Sequence, residues 1–426
     1  MRFNRRAQTA AAAAALSLLA LAGCKQGGEA AQGGGAAIPA QIKIGATLPL
    51  TGSEARAGGF YKEGYDLAFE EVSKAGGLTL GGKKVPVTLT LLDDTSTQAT
   101  AANLADRLIN SDKVDFLLGT YASHLVKAQS VVAEQNGVPY VQGGGAALEI
   151  FSRGFKNVFG LLAPINLLAD AQMRWLELQQ KAGKLPKPSK IALVWENTDH
   201  GKDFRRGVNE FAARSGGAFV VVVDEAFELN GKDFSALLSK VKAADTDLFL
   251  ADSHLPDYIT MQRQYVTNGL CHKVQSYGAR GSEKGAVDAL GQANVNYVIS
   301  AVWWNAQLGS KGGPAKAFVE AFKAKYGGRA PEWYQALGYE TARALFTAIE
   351  QAGSADRAKV REKLAALKMD SILAGGTLQF LPENGYQAFY PFVVQQNQPD
   401  GKSPIVYPTD VATAPGSPNP KCAGAK

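Results

Sequence analysis

Two periods alternate along the chain. Short apolar runs of strand length recur, and between them lie longer stretches whose apolar residues fall three and four apart. The first run, 42–48 (IKIGATL), is continuous enough for a strand buried on both faces. Helix 59–74 follows, with Phe60, Gly64, Leu67, Ala68 and Val72 on one face. Gly81-Gly82 marks a hairpin turn, and 85–92 is the next strand. Helix 97–110, strand 116–118, helix 124–135 and strands 138–141 and 158–162 come next. After a Pro/Lys-rich loop at 184–188 the rhythm restarts. Strands at 191–195, 218–223, 248–251, 273–276 and 295–302 alternate with helices at 201–214, 233–243, 256–268 and 282–290. This repeat is the βαβ unit, and it demands parallel sheets covered by helices on both faces. The fold class is α/β, with two doubly wound units in series.

The last third differs. Helical patterns at 314–326 and 332–352 precede strands near 376–381 and 388–395. This block is too poor in strands to form its own sheet. Its helices are expected on the first unit and its last strands on the second. The chain then crosses between units near 163, 300 and 372. Lobe 1 is 42–163 plus 301–372, lobe 2 is 164–300 plus 373–408, and 409–426 is a C-terminal tail. Three crossings make a hinge, with a cleft at the carboxyl ends of both sheets.

Composition excludes a fibre or a largely disordered chain: of 426 residues, 46% are hydrophobic and 20% charged. The net charge of +6 is not gathered into one basic run, so nucleic acid is not indicated. The N-terminus stands apart. Arg2, Arg5 and Arg6 precede an apolar stretch, 10–22, too short for a stable bilayer anchor. Leu21-Ala22-Gly23-Cys24 then resembles the bacterial lipobox, in which small residues fit a peptidase cleft and the cysteine takes the lipid. Residues 1–23 read as a lipoprotein signal peptide, the alternative being a plain secretory signal with a chance Cys24. Residues 24–41 read as a lipidated flexible leash, rich in Gly, Ala and Gln, with a reach of roughly 20–25 Å. The expected location is periplasmic or extracytoplasmic, tethered by lipid. In that oxidising compartment Cys271 and Cys422 invite a disulfide, two unrelated thiols being the alternative.

Catalytic signatures are missing from the sequence. His124, His200, His254 and His272 fall in no H-E-x-x-H or paired Cys/His spacing, so no metal is assigned. No G-x-S-x-G elbow is present. The run 77–84 (GLTLGGKK) lacks the Ser/Thr of a phosphate loop and leads into a strand. Gly143-Gly144-Gly145 lacks the third glycine of a dinucleotide fingerprint. No catalytic residue and no cofactor is nominated, and the chain is not read as an enzyme.

Four segments in order carry a resemblance: 42–52 (IKIGATLPLTG), 64–77 (GYDLAFEEVSKAGG), 91–95 (LLDDT) and 116–123 (FLLGTYAS). Together they resemble the leucine/isoleucine/valine-binding family, the extracytoplasmic solute receptors of ABC transporters, over about 42–408. The resemblance implies the type I periplasmic binding protein fold, a monomer, and as partners an ABC permease with its ATPase subunits. It also implies where the ligand sits. Ser123 takes the place of a serine that contacts the ligand carboxylate, and it can equally cap helix 124–135. Tyr121 walls the pocket or belongs to the core. Gly144 and Gly145 allow close backbone approach, while Ala146 stands where relatives have a hydroxyl. Arg280 stands near the acid that meets a ligand ammonium in amino-acid receptors. A cation there suits a carboxylate instead. His200 and His254 fall in pocket-facing loops, where imidazole stacks or donates hydrogen bonds. Arg56 is a pocket cation or a surface ion-pair partner. Trp303 and Trp304 line the cleft or pack the hinge. Tyr334 reaches the cleft, Tyr339 joins the core, and Glu63, Glu70 and Glu71 read as a solvated face.

The resulting expectation is a solute-binding lipoprotein of an ABC importer. Its ligand bears a carboxylate: an amino acid, an aromatic acid or a dicarboxylate. A sensing receptor of the same fold, feeding a membrane signalling partner, is the alternative. An enzyme built on the same scaffold is the other.

Overall fold

The computed structural model describes residues 38–422, so the signal segment, Cys24 and most of the leash lie outside the described residues. Among the described residues no helix is long and apolar enough to cross a membrane.

Two sheets dominate. The first runs, edge to edge, Lys368–Asp370, Thr377–Leu381, Gln387–Ala388, Val158–Gly160, Tyr140–Gln142, Phe116–Leu118, Ile42–Leu48, Val87–Asp93. The second runs Ile405–Tyr407, Val393–Gln396, Val298–Val302, Val274–Tyr277, Leu248–Asp252, Ser189–Glu196, Phe219–Phe227. Each keeps a parallel core to which antiparallel strands are added at one edge. The hairpin Leu78–Leu80 with Lys83–Val85 stands apart from both.

Within each parallel core the strand first in sequence lies between the second and the third. The winding direction reverses there, so the strand ends diverge and open a crevice beyond their carboxyl termini. In the first sheet that point lies between Ile42–Leu48 and Phe116–Leu118, and in the second between Ser189–Glu196 and Leu248–Asp252. Strand Ile42–Leu48 is buried at every position except Lys43 because helices cover both faces.

Helix Ala55–Lys74 begins four residues before its sequence-predicted start, and the loop leading into it is anchored on Asp93. That carboxylate accepts from the backbone N–H groups of Leu50 and Thr51. The helix crosses Trp333–Ala352 at a point of glycine contact. A Cβ on Gly64 would run into the Gln335 carbonyl, and one on Gly338 would crowd that of Tyr61. The helical block of the last third therefore packs on the first sheet's helices.

One boundary needs correction. Residues 373–388 were expected with the second unit, but Thr377–Leu381 and Gln387–Ala388 pair within the first sheet, where Gln387 sits opposite Gly160. Phe380 packs 5.4 Å from Phe159, and the Gln387 amide donates to the carbonyls of Ala146 and Leu162. The last passage between sheets therefore lies between Ala388 and Val393, not near 372. Cys271 and Cys422 are disulfide-bonded, with Cα atoms 5.3 Å apart. The segment before Cys422 is docked, with Gly416 against Trp175 and Ser417 paired to Gln396.

Candidate functional site

Loops at the strand ends of the two sheets meet face to face. Across the gap the Leu148 N–H donates to Asp203 at 2.7 Å, Lys127 pairs with Asp199 at 2.8 Å, and the Tyr334 hydroxyl donates to Glu283 at 2.5 Å. Arg280 donates to the Tyr121 hydroxyl. These contacts close the crevice over a set of buried polar groups.

Arg280 is central. It follows strand Val274–Tyr277 in a turn where Gly278 adopts φ +57° and the Arg280 N–H returns to the Tyr277 carbonyl at 2.9 Å. The residue is 1% exposed. Its guanidinium lies 5.4 Å from the Trp333 ring centroid, and Nε is 3.7 Å from Glu283. Burial opposes the charge, but the oxygens of Tyr121, Tyr334 and Glu283 hold it protonated. Among the described residues Nε and Nη1 have no acceptor. Unpartnered donors on a buried cation are costly, and an acceptor from outside the chain would satisfy them.

Two histidines stand beside it, each held by an acid. His254 follows strand Leu248–Asp252 and places Nδ1 2.6 Å from Glu196. Burial pushes the imidazole down, but Glu196 and Glu54 outweigh it and hold it up at about 9. Its Nε2 is buried without a partner among the described residues. His200, at the start of helix Asp199–Arg214, places Nδ1 2.7 Å from Asp252. Donor atoms of Glu196, His200 and Asp252 lie within 4.8 Å of one another. Each imidazole Nδ1 is already committed to a carboxylate, so the cluster is two acid–histidine pairs. His124, on helix Ser123–Gln135, is driven by burial down to about 4 and stays neutral.

The other expected residues divide. Ser123 makes no cap bond; its hydroxyl oxygen accepts from the N–H groups of Ala146 and Ala147 at 3.1 and 3.4 Å, leaving its own hydrogen free. Tyr121 lies in the crevice, its ring 5.6 Å from Tyr61, 5.5 Å from Tyr334 and 6.1 Å from His254. Tyr334 reaches the same place through Glu283. Gly144 and Gly145 are a correction: both N–H groups are spent on the Gln142 side chain, at 2.9 and 2.7 Å, and are not free for a ligand. They are glycines because a Cβ on either would strike the neighbouring loop or helix. Ala146 braces the same loop through Ser123 and Gln387. Trp304 donates to the Ile372 carbonyl at 3.0 Å and packs on Phe318, and it also lines a 590 Å³ cavity beside Glu283 and Trp333. Trp303 donates to the Ala163 carbonyl at 2.9 Å and so braces the crossing near 163. Arg56 pairs with Glu332 at 3.0 Å, half exposed at the crevice mouth.

Four residues escaped the sequence reading. Glu196 and Asp252 are the last residues of buried strands, and an acid at the carboxyl end of an apolar run was their only signal. Glu283 precedes helix Lys284–Leu290 and is buried with Oε2 unpartnered. Burial raises its carboxyl to about 7 although Arg280 opposes this. Trp333 opens helix Trp333–Ala352, faces Arg280, and leaves its indole N–H without an acceptor. Two cavities flank the cluster. One of 590 Å³ is lined by Ser282, Glu283, Trp333 and Gln395, and one of 230 Å³ by Glu54, Arg56, Leu255, Glu283 and Tyr334. The arrangement can bind a small polar molecule between the sheets through an oxygen acceptor set against Arg280.

Comparison with known proteins places this geometry among relatives. A family model described as periplasmic binding protein matches residues 41–402. The chain is 27% identical over 387 residues to the Leu/Ile/Val-binding protein homolog 7 of Brucella abortus, covering 90% of this chain and 95% of the relative. Its structure is similar to that of the leucine-binding protein LivK of Thermotoga maritima. The TM-score is 0.74 at 26% identity, covering 85% of this chain and 97% of the other. It is also similar in fold to an ABC transporter solute-binding protein of R. palustris in complex with benzoate. There the TM-score is 0.72 at 21% identity, covering 89% and 98%.

Proposed function

The chain belongs to the periplasmic binding protein family, with the type I fold, and from that premise we propose that it captures a small carboxylate-bearing solute for an ABC importer. The solute binds between two lobes, one built on each sheet. The lobes close about the passages that join the sheets, and the closed form docks on a permease driven by its ATPase subunits. Ligand favours the closed form because only there do both lobes reach it, which is a population shift. Cys24 carries a lipid that tethers the monomer outside the cytoplasm.

The observation that carries the ligand class is Arg280: a buried guanidinium with Nε and Nη1 unpartnered. A carboxylate satisfies both donors at once. Tyr61, Tyr121, Trp333 and Tyr334 surround it with rings, which suits a planar acid such as the benzoate bound by the R. palustris relative. A second reading has its own support. The unpartnered Oε2 of Glu283 would receive an ammonium, so an amino acid fits if Glu283 rather than Arg280 dominates. Tryptophan fluorescence separates the two, since Trp333 lies against Arg280. Titration with benzoate and glutarate is expected to change the emission and saturate, and leucine to leave it unchanged. Saturation by leucine alone would overturn the acid reading.

A further inference from the structure

We propose that Glu196 is a positioning residue that fixes a proton on each ring nitrogen of His254, making His254 the second cationic contact of the cleft beside Arg280. This rests on the cleft being the ligand site.

The geometry is a two-point grip. Glu196 ends its strand fully buried. One oxygen accepts from the Thr198 hydroxyl at 2.7 Å, which sets the plane of the carboxylate. The other accepts both the backbone N–H of His254 at 3.2 Å and its Nδ1–H at 2.6 Å. Backbone and side chain of one residue are thus held by one oxygen, and the ring cannot turn over without losing that bond. A charged carboxylate only accepts, so Nδ1 carries hydrogen and Nε2 is the atom presented to the crevice.

What faces the imidazole decides whether Nε2 also carries hydrogen. From its own helix comes Asp257, and from the neighbouring strand end Glu196. From the opposite lobe come Glu54, the Tyr121 ring at 6.1 Å and His124 at 6.4 Å. From the adjoining loop comes Arg280, and from the next helix His200 at 5.8 Å. Burial and Arg280 oppose a second positive charge, while Glu196 and Glu54 favour it and prevail. His200 is taken by Asp252, and His124 is neutral by burial. The Nε2–H of His254 is thus a charged donor toward the crevice, buried without an acceptor among the described residues. Arg280 and His254 then contact the solute from two different strand ends of the second sheet. This favours an anion over a neutral or zwitterionic solute.

The first test needs no ligand. The four histidines give four imidazole ring systems in a long-range ¹H–¹⁵N spectrum of the mature chain, with His254 assigned by His254→Gln. His254 is expected to hold both ring protons at pH 7.5 and to lose one only near pH 9. In Glu196→Gln it is expected to be neutral at pH 7.5, and the affinity for benzoate to fall at least tenfold at that pH. A His254 that titrates at or below 6.5 in the unmodified protein overturns the proposal. So does a Glu196→Gln variant that keeps the charge. If Glu196→Gln does not fold, the unmodified titration still decides. A charged His254 in a protein that binds no acid would leave the Glu196 assignment standing and sink the ligand reading. Acid binding to a protein with neutral His254 would do the reverse.

Discussion

Replacing Arg280 by glutamine tests the cleft at its most committed residue. Arginine offers a ligand two buried donors that have no acceptor among the described residues, and both belong to a charged group. A hydrogen bond to a charged group contributes about 1.5–3 kcal/mol. Two such bonds come to about 3 kcal/mol at the low end, roughly a hundredfold in Kd. Stability should respond far less. The substitution removes the bond to Tyr121 but also removes two unsatisfied buried donors, and these effects oppose each other. The assay is calorimetric titration of benzoate into both proteins at pH 7.5, with a melt of each to confirm the fold. The expected result is a Kd raised about a hundredfold with a melting temperature within a few degrees. A folded Arg280→Gln protein whose Kd lies within threefold of the parent would refute the reasoning.

Three further outcomes follow from other parts of the molecule. Cys422→Ser opens a bridge spanning 151 residues, which in the chain-entropy view stabilises by about 5 kcal/mol. A melting temperature lowered by about 6 °C is expected under non-reducing conditions, and an unchanged melt would count against the docked tail. Gly64→Ala drives a methyl into the Gln335 carbonyl and should cost about 2–3 kcal/mol in urea unfolding, whereas a neutral result would mean the two helices sit further apart. Burial raises the Glu283 carboxyl to about 7, so the folded state holds its proton more tightly than the unfolded chain. Its contribution is present at low pH and is lost as pH rises through about 7. Glu283→Gln should therefore flatten the fall in melting temperature between pH 5 and 8, and an unchanged slope would place the effect elsewhere.

The alternation of strands and helices was legible because buried strands are apolar at nearly every position, as in Ile42–Leu48 with only Lys43 exposed, and amphipathic helices separate them. Gln387–Ala388 was not, because two residues carry no period, and with it went the true place of the last passage between sheets. Arg280, His254 and Ser123 were placed by the family resemblance, which puts the ligand at strand-end loops, and each follows a strand end in the structure. Their partners could not be placed. Glu196 and Asp252 meet the histidines only through pairing of the central strands, 58 and 52 residues apart in sequence. Trp333 and Arg280 lie on a helix and a loop with no local link between them. Gly144 and Gly145 misled because open space at a glycine and space filled by a neighbouring loop look the same in sequence. Here Thr120 and Val126 fill it.

The central claim is a carboxylate held between the sheets, and a thermal-shift screen of residues 24–426 with Cys24 replaced addresses it most directly. The panel is aliphatic amino acids, amides, aromatic acids and dicarboxylates. A ligand at about 100 times its Kd adds roughly 2.7 kcal/mol, a rise of about 3 °C for a chain of this size. The account predicts that one or more acids without an ammonium group raise the melt and that leucine and valine do not. A rise with leucine or valine and none with any such acid would contradict it, and would assign the ligand to Glu283 instead of Arg280.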